Sequence, residues 1–264
     1  MRPVLFSVLG FNVQSYGVSK ALAALVAGWL LARAFDRLGL KRDSAYSVVM
    51  WATIWGFAGA KVYYLLERLP DVTLHDLGGM GFTWYGGLVG GIAAALVVVR
   101  RHRLPPWPVA AAAAVPLTIA YGVGRLGCLL AGDGTYGRPS SLPWAMTFPR
   151  GVVPSYVPVH PTPLYETLAA AAIAALLWAA ARHLPPAAVV GCYLVLSGAS
   201  RFLVEFLRIN QTAIFGLTQP QLWAVASVLA GIVLIARNGR ATRSRPPDPD
   251  APHADEPVPQ PSAA

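Results

Sequence analysis

Arg125 and Arg201 lie in apolar stretches of bilayer-spanning length, and Lys61 and Glu205 lie in or at the ends of others. A charge inside a membrane span costs at least a few kcal/mol, so each of these residues asks for a reason. Arg201, Glu205 and Arg208 recur at i, i+4 and i+7, on one helical face. An internal ion pair pinning two helices is the plain account of Glu205. It is a weaker account of two arginines on separate spans. Two guanidiniums facing one interior cavity need an anion, and a lipid phosphate suits them. Arginine offers paired N–H donors to phosphate and never loses its proton.

Other polar groups cluster around these positions in the sequence. His160-Pro-Thr-Pro-Leu-Tyr-Glu166 opens an apolar segment. Its prolines and Thr162 can start a helix, and Glu166 suits the positive end of one. His160, Tyr165 and Glu166 together are still more polar chemistry than a helix start needs. Gly122-Val-Gly-Arg-Leu-Gly127 matches the dinucleotide-binding fingerprint letter by letter, but it lies in an apolar helix with no preceding strand. Its small residues, like Gly86, Gly87, Gly90 and Gly91, suit close helix packing or close approach of lipid to backbone. Cys128 and Cys192, both in apolar stretches, form neither a disulfide framework nor a metal-ligand spacing.

The elements that must position these residues are membrane helices. Of 264 residues, 55% are hydrophobic and 12% charged, against roughly 25% charged in an average soluble chain. The apolar residues fall in runs of about the 20 that one bilayer crossing needs. Seven spans are expected, near 16–35, 44–66, 83–100, 108–131, 162–182, 187–207 and 218–236. The third is short and Gly-rich, so it is expected to tilt or enter irregularly. The net charge of +9 would suggest nucleic acid in a soluble protein. Here, basic residues segregate between the two faces of the membrane. With the N-terminus outside, twelve Lys and Arg fall on inner segments and five on outer ones. An N-out, C-in chain with an odd number of spans fits that asymmetry. No cleavable signal peptide is evident. The expected fold class is an all-α integral membrane protein, with residues 1–236 as the transmembrane domain. Within it, 132–161 is a small polar, Pro/Gly-rich head loop on the periplasmic side. Residues 237–264 read as a disordered cytoplasmic tail.

In order, Trp84-Tyr-Gly-Gly-Leu-Val-Gly90, Gly124-Arg-Leu-Gly-Cys-Leu-Leu-Ala-Gly-Asp133 with Tyr136-Gly137, His160 to Glu166, and Arg201-Phe-Leu-Val-Glu-Phe-Leu-Arg208 resemble the prolipoprotein diacylglyceryl transferase family. Tyr16-Gly17 also fits, and the resemblance covers about residues 4–236. It implies seven transmembrane helices with a periplasmic head, in the cell inner membrane. It also implies a reaction. The thiol of the lipobox cysteine in a prolipoprotein signal peptide attacks a glycerol carbon of phosphatidylglycerol, and glycerol phosphate leaves. No metal, organic cofactor or nucleic acid is implied; membrane lipid is.

By this resemblance Arg125 and Arg201 hold the phosphate and stabilise the charge that develops on it. They also favour the thiolate, since a positive environment lowers a thiol's pKa. Glu205 orients Arg201 or a neighbouring arginine. His160, Tyr165 and Glu166 shape the outer mouth or a polar network behind it. Tyr16, Lys61, Gly86, Gly87, Cys128, Asp133 and Gly137 complete the expected substrate-binding set. The sequence departs from the pattern at four places. Tyr85 replaces the histidine proposed as the family's base, Cys128 an asparagine, Ser197 a tyrosine and Lys61 an arginine. A tyrosine with pKa near 10 is a poor base at neutral pH, so Tyr85 is expected to donate a hydrogen bond, leaving the base to another residue or to water. Two other readings stand beside this one: a transporter or lipid-translocating protein, and an inactive relative that binds lipid or lipoprotein precursors.

Overall fold

The computed structural model describes residues 2–8, 11–73, 76 and 81–243. Among these residues, seven helices carry the chain: α1 (Ser15–Arg37), α2 (Arg42–Glu67), α3 (Trp84–Arg101), α4 (Pro106–Ala131), α5 (Thr162–Ala180), α6 (Pro186–Glu205) and α7 (Gln219–Arg243). Each coincides with an expected span. Prolines stand at the first or second position of four of them, α4, α5, α6 and α7, where the missing N–H costs nothing and the fixed φ favours the first turn. Five helices are long and apolar enough to cross a membrane: α1, α4, α5, α6 and residues 219–238 of α7. Their outward faces are bare, with Leu25, Leu117, Leu168, Leu203 and Leu229 exposed. Water would not tolerate so much contiguous apolar surface, whereas lipid does. α2 and α3 fall short of that measure. At 18 residues, α3 is about 27 Å long, just under the thickness of a bilayer's hydrocarbon core. α7 runs on through residues 237–243, and residues 244–264 of the expected tail lie outside the described residues.

α4 is the hub, packed against α1, α5 and α6. Its glycines set those contacts. Gly122 faces Thr167 and Ala170 of α5, while Gly124 and Gly127 face Lys20 and Ser19 of α1. α2 and α3 meet along a seam of glycines, where Gly56 and Gly59 lie against the backbone of Gly86, Gly87 and Gly90. A Cβ on Gly59 or Gly86 would run into the opposite carbonyl.

Three short hairpins decorate one end. β1 (Val4–Val8) pairs with β2 (Phe11–Gln14), β3 (Met146–Phe148) with β4 (Ser155–Val159), and β5 (Thr212–Ile214) with β6 (Leu217–Thr218), all antiparallel. The 132–161 loop is an ordered head with its own small core of Tyr136, Phe148 and Val159. The Tyr136 ring stacks on Phe148 at 4.7 Å. Gly132, at φ +60, ends α4 in the left-handed conformation and lets Gly151 approach closely.

Candidate active site

The last turns of α4 and α6, the turn after α6 and the first turns of α5 bring three arginines and two glutamates together. Glu166, one turn into α5, is the centre and is 2% exposed. Its Oε1 accepts a hydrogen bond from the Tyr121 hydroxyl at 2.6 Å. The same oxygen lies 3.1 Å from Arg125 Nη2 and 3.7 Å from Arg201 Nη1. Its Oε2 lies 3.6 Å from Arg208 Nη1. The two arginines singled out from the sequence, on α4 and α6, thus converge on one carboxylate oxygen.

Glu205 forms the second anchor. Its Oε1 accepts from Asn210 Nδ2 and, at 2.9 Å, from Thr218 Oγ1. Its Oε2 lies 2.8 Å from Arg201 Nη2 and 3.8 Å from Arg208 Nε. The β5–β6 hairpin therefore holds Glu205, and Glu205 holds Arg201, as the helical spacing suggested. Arg208 lies one turn past the end of α6, its amide bonded to Glu205 O. Gly137 forms a β-bridge with Arg208. A Cβ on Gly137 would press on His160 and Thr162 at 3.0 Å, so only glycine lets the head loop pin the arginine there.

Among the described residues, the buried side-chain polar atoms without a hydrogen-bond partner all belong to this cluster: Glu166 Oε2, Arg201 Nη1, Glu205 Oε2, and Arg208 Nε and Nη1. Contacts of 3.6–3.8 Å are too long for hydrogen bonds. Three guanidiniums face two carboxylates, so the centre carries one surplus positive charge. Buried groups left so incompletely paired are costly and suit a site whose remaining partner is a ligand.

The other expected site residues fall into three groups. Tyr16, Cys128 and Asp133 gather where α1 meets the end of α4. Cys128 is buried in the last turn of α4, and Asp133 accepts from Thr135 N and Oγ1. His160 and Tyr165 stand apart from Glu166. The Tyr165 hydroxyl accepts from Trp144 Nε1 at 2.8 Å and lies 3.3 Å from His160 Nδ1. Tyr165 also lines an apolar groove of about 460 Å³ between α5 and α6, with Ile173, Leu203 and Leu207. The third group lies on α2 and α3. Gly86 and Gly87 are packed into the α2–α3 seam rather than open to the centre. Lys61 lies over the rings of Phe82 and Tyr64, at 5.1 and 5.3 Å. Tyr85 leans on Trp223 at 5.9 Å, within electrostatic range of Arg201 and Glu205. Ser197 turns back to its own helix, donating to Tyr193 O.

Sequence reasoning missed four contributors. Arg208 shares a helical face with Arg201 and Glu205 but was not among the expected site residues, although its i+7 spacing from Arg201 was a signal. Tyr121, one turn before Arg125, was a weaker one. Nothing pointed to Asn210 or Thr218, which act through a turn and a hairpin.

Fold and centre together define a multi-pass membrane protein with a buried cationic site at the head end of its helix bundle. The sequence profile of the prolipoprotein diacylglyceryl transferase family matches residues 3–237, and the chain belongs to that family. It is 30% identical over 215 residues to the phosphatidylglycerol–prolipoprotein diacylglyceryl transferase of Clostridium tetani, covering 79% of this chain and 86% of the relative. The enzymes of that name from Chromohalobacter salexigens and Pseudomonas putida are 31% and 30% identical, each over 88% of this chain and 90% and 92% of their own lengths. The chain is a transferase.

Proposed function

We propose that this chain moves the diacylglyceryl group of phosphatidylglycerol onto the thiol of a lipobox cysteine in a prolipoprotein signal peptide, releasing glycerol phosphate. The observation that carries the reading is the centre's surplus charge, with buried guanidinium N–H groups of Arg201 and Arg208 left without acceptors. A phosphodiester carries one negative charge, which would neutralise the site. Arg125 and Arg201 hold the phosphate, as read from the sequence, and Arg208 joins them. As the glycerol C–O bond breaks, charge builds on the leaving phosphate oxygen. Fixed guanidiniums in a dry site stabilise that charge without reorganising. Glu166 and Glu205 keep the three cations at fixed positions, and Tyr121 steadies Glu166. The apolar groove beside Tyr165 suits an acyl chain entering from the lipid.

On this reading all seven helices cross the inner membrane, α2 and α3 as a glycine-zipped pair. The N-terminus and the 132–161 head lie on the periplasmic side and the C-terminus in the cytoplasm, with basic residues concentrated inside. The deciding experiment is transfer of labelled diacylglyceryl from phosphatidylglycerol vesicles to a lipobox peptide by purified full-length protein. A thioether-linked product is expected. Well-folded protein that forms none, or full activity in Arg125→Ala and Arg201→Ala, would overturn the proposal. Rescue of a host depleted of its own transferase separates an active enzyme from a lipid-binding relative carrying Tyr85, Cys128 and Ser197.

A further inference from the structure

One cation plays no part in the centre just described. Lys20 lies in the second turn of α1, an apolar helix of spanning length. No carboxylate among the described residues lies within 4 Å of its ammonium. A lysine so placed would ordinarily snorkel outward to the lipid headgroups. This one turns inward. Its Nζ lies 3.2 Å from where a Cβ on Gly124 would stand, so the glycine beside Arg125 makes the room it occupies. Its ammonium sits over the Tyr16 ring, 4.9 Å from the centroid. The buried Cys128 lies one turn beyond Gly124 on the same face of α4.

The position of Lys20 matters because of the reaction's geometry. Displacement at a saturated carbon is in line, so sulfur enters opposite the departing oxygen. One cation cannot sit beside both. Arg201 and Arg208 reach Glu166 from the α5–α6 side of α4, where Gly122 meets α5. Lys20 stands on the α1 side, where Gly124 and Gly127 meet α1. Arg125 lies between them in sequence and reaches toward Glu166.

We propose that Lys20 is the cation on the nucleophile's side, its ammonium stabilising the thiolate of the incoming lipobox cysteine while the arginines hold the phosphate. The inference rests on the transferase reading. The thiol gives its proton to solvent, and the thiolate forms the C–S bond. The C–O bond breaks with its electron pair going to the phosphate oxygen, and a proton from solvent completes glycerol phosphate. The titratable and charged groups around Lys20 are Tyr16 on α1, Arg125 and Cys128 on α4, and Asp133 after α4. On α2, Tyr46 meets α1 at Gly28, about 12 Å further along the helix.

The test compares full-length wild type, Lys20→Met and Lys20→Arg in phosphatidylglycerol/phosphatidylcholine vesicles, reading kcat/KM for a lipobox peptide against pH and KM for the lipid. Removing a cation from beside a thiolate should move the acid limb of kcat/KM up by about one pH unit. Below that limb the rate should fall about tenfold. KM for the lipid should stay within about twofold, and Lys20→Arg should restore most of the limb. An unmoved limb in Lys20→Met, a Lys20→Arg no better than Lys20→Met, or a loss confined to lipid KM each overturns the inference while the transferase reading stands. A wild type that forms no thioether sinks both.

Discussion

Two clusters in this molecule are built from the same parts and treat them oppositely. In the loop between α2 and α3, Asp76 accepts from the Tyr64 hydroxyl, Arg68, and the amide and hydroxyl of Thr73. Each of its oxygens has two donors, and one carboxylate faces one guanidinium. At the centre, Glu166 also takes a tyrosine hydroxyl and an arginine. There, however, three guanidiniums share two carboxylates, and both carboxylates leave an oxygen without a hydrogen bond. The first cluster is complete and closes a hairpin whose helices zip together on glycines. The second keeps unspent hydrogen-bonding capacity in a buried place. Stability favours the first arrangement, and a site poised for an anion requires the second.

The sharpest way to break the comparison is to remove a cation from the centre. Arg201→Ala should lower kcat for transfer by about a thousandfold, the upper range for deleting one donor to developing charge, and, since two guanidiniums would then balance two carboxylates, should lower the thermal midpoint less than Glu166→Gln does. A large loss of stability with modest loss of rate would make Arg201 a structural brace instead. Glu166→Gln should act the other way round. Three guanidiniums would then face one carboxylate, and breaking a buried pair costs about 3 kcal/mol. The variant should melt earlier in neutral detergent and recover part of the loss when phosphatidylglycerol is added, because the lipid phosphate can replace the missing charge. Recovery to the same degree with diacylglycerol, which has the acyl chains and no phosphate, would contradict an anion site. Arg208→Gln removes the surplus charge itself. Transfer should fall about tenfold with the melting temperature unchanged or raised, and a lowered melting temperature would count against a surplus.

How far each cluster was legible follows from what the residues read locally. The helices were legible because apolar runs and basic flanks are properties of the chain alone, and α1 to α7 start within a few residues of the expected positions. Arg125 and Arg201 were legible because a charge in such a run is anomalous wherever the helix points. The head's β3–β4 pair and the hairpins β1–β2 and β5–β6 were not, since their strands are short and their pairing is set by packing on helix ends. Glu166 was placed with His160 and Tyr165 by proximity in sequence, but a helix turns neighbours onto different faces. Glu166 looks inward at α4 and α6, while Tyr165 lines the groove on the other side. Lys20 escaped notice because one lysine near a span's end looks ordinary until Gly124 shows which way it points.

The smallest expected effect belongs to the completed cluster. Thr73's hydroxyl and amide, with Tyr64 and Arg68, hold the Asp76 carboxyl well below the usual carboxylate range. Its folded pKa is thus below its unfolded value, so the carboxylate stabilises the fold fully above the unfolded pKa of about 3.9. That contribution is lost only as pH falls through the lower, folded value. Asp76→Asn should therefore lower the melting temperature slightly at pH 7. The gap from wild type should be the same at pH 5 and narrow only in stronger acid. Its transfer rate at pH 7 should match the wild type's, because among the described residues the partners of Asp76 are Tyr64, Arg68 and Thr73 and none belongs to the arginine centre. A gap that has already closed at pH 5 would mean that the carboxylate is not held by its donors. The contrast with Glu166 would then have to rest on charge count rather than on satisfied hydrogen bonds.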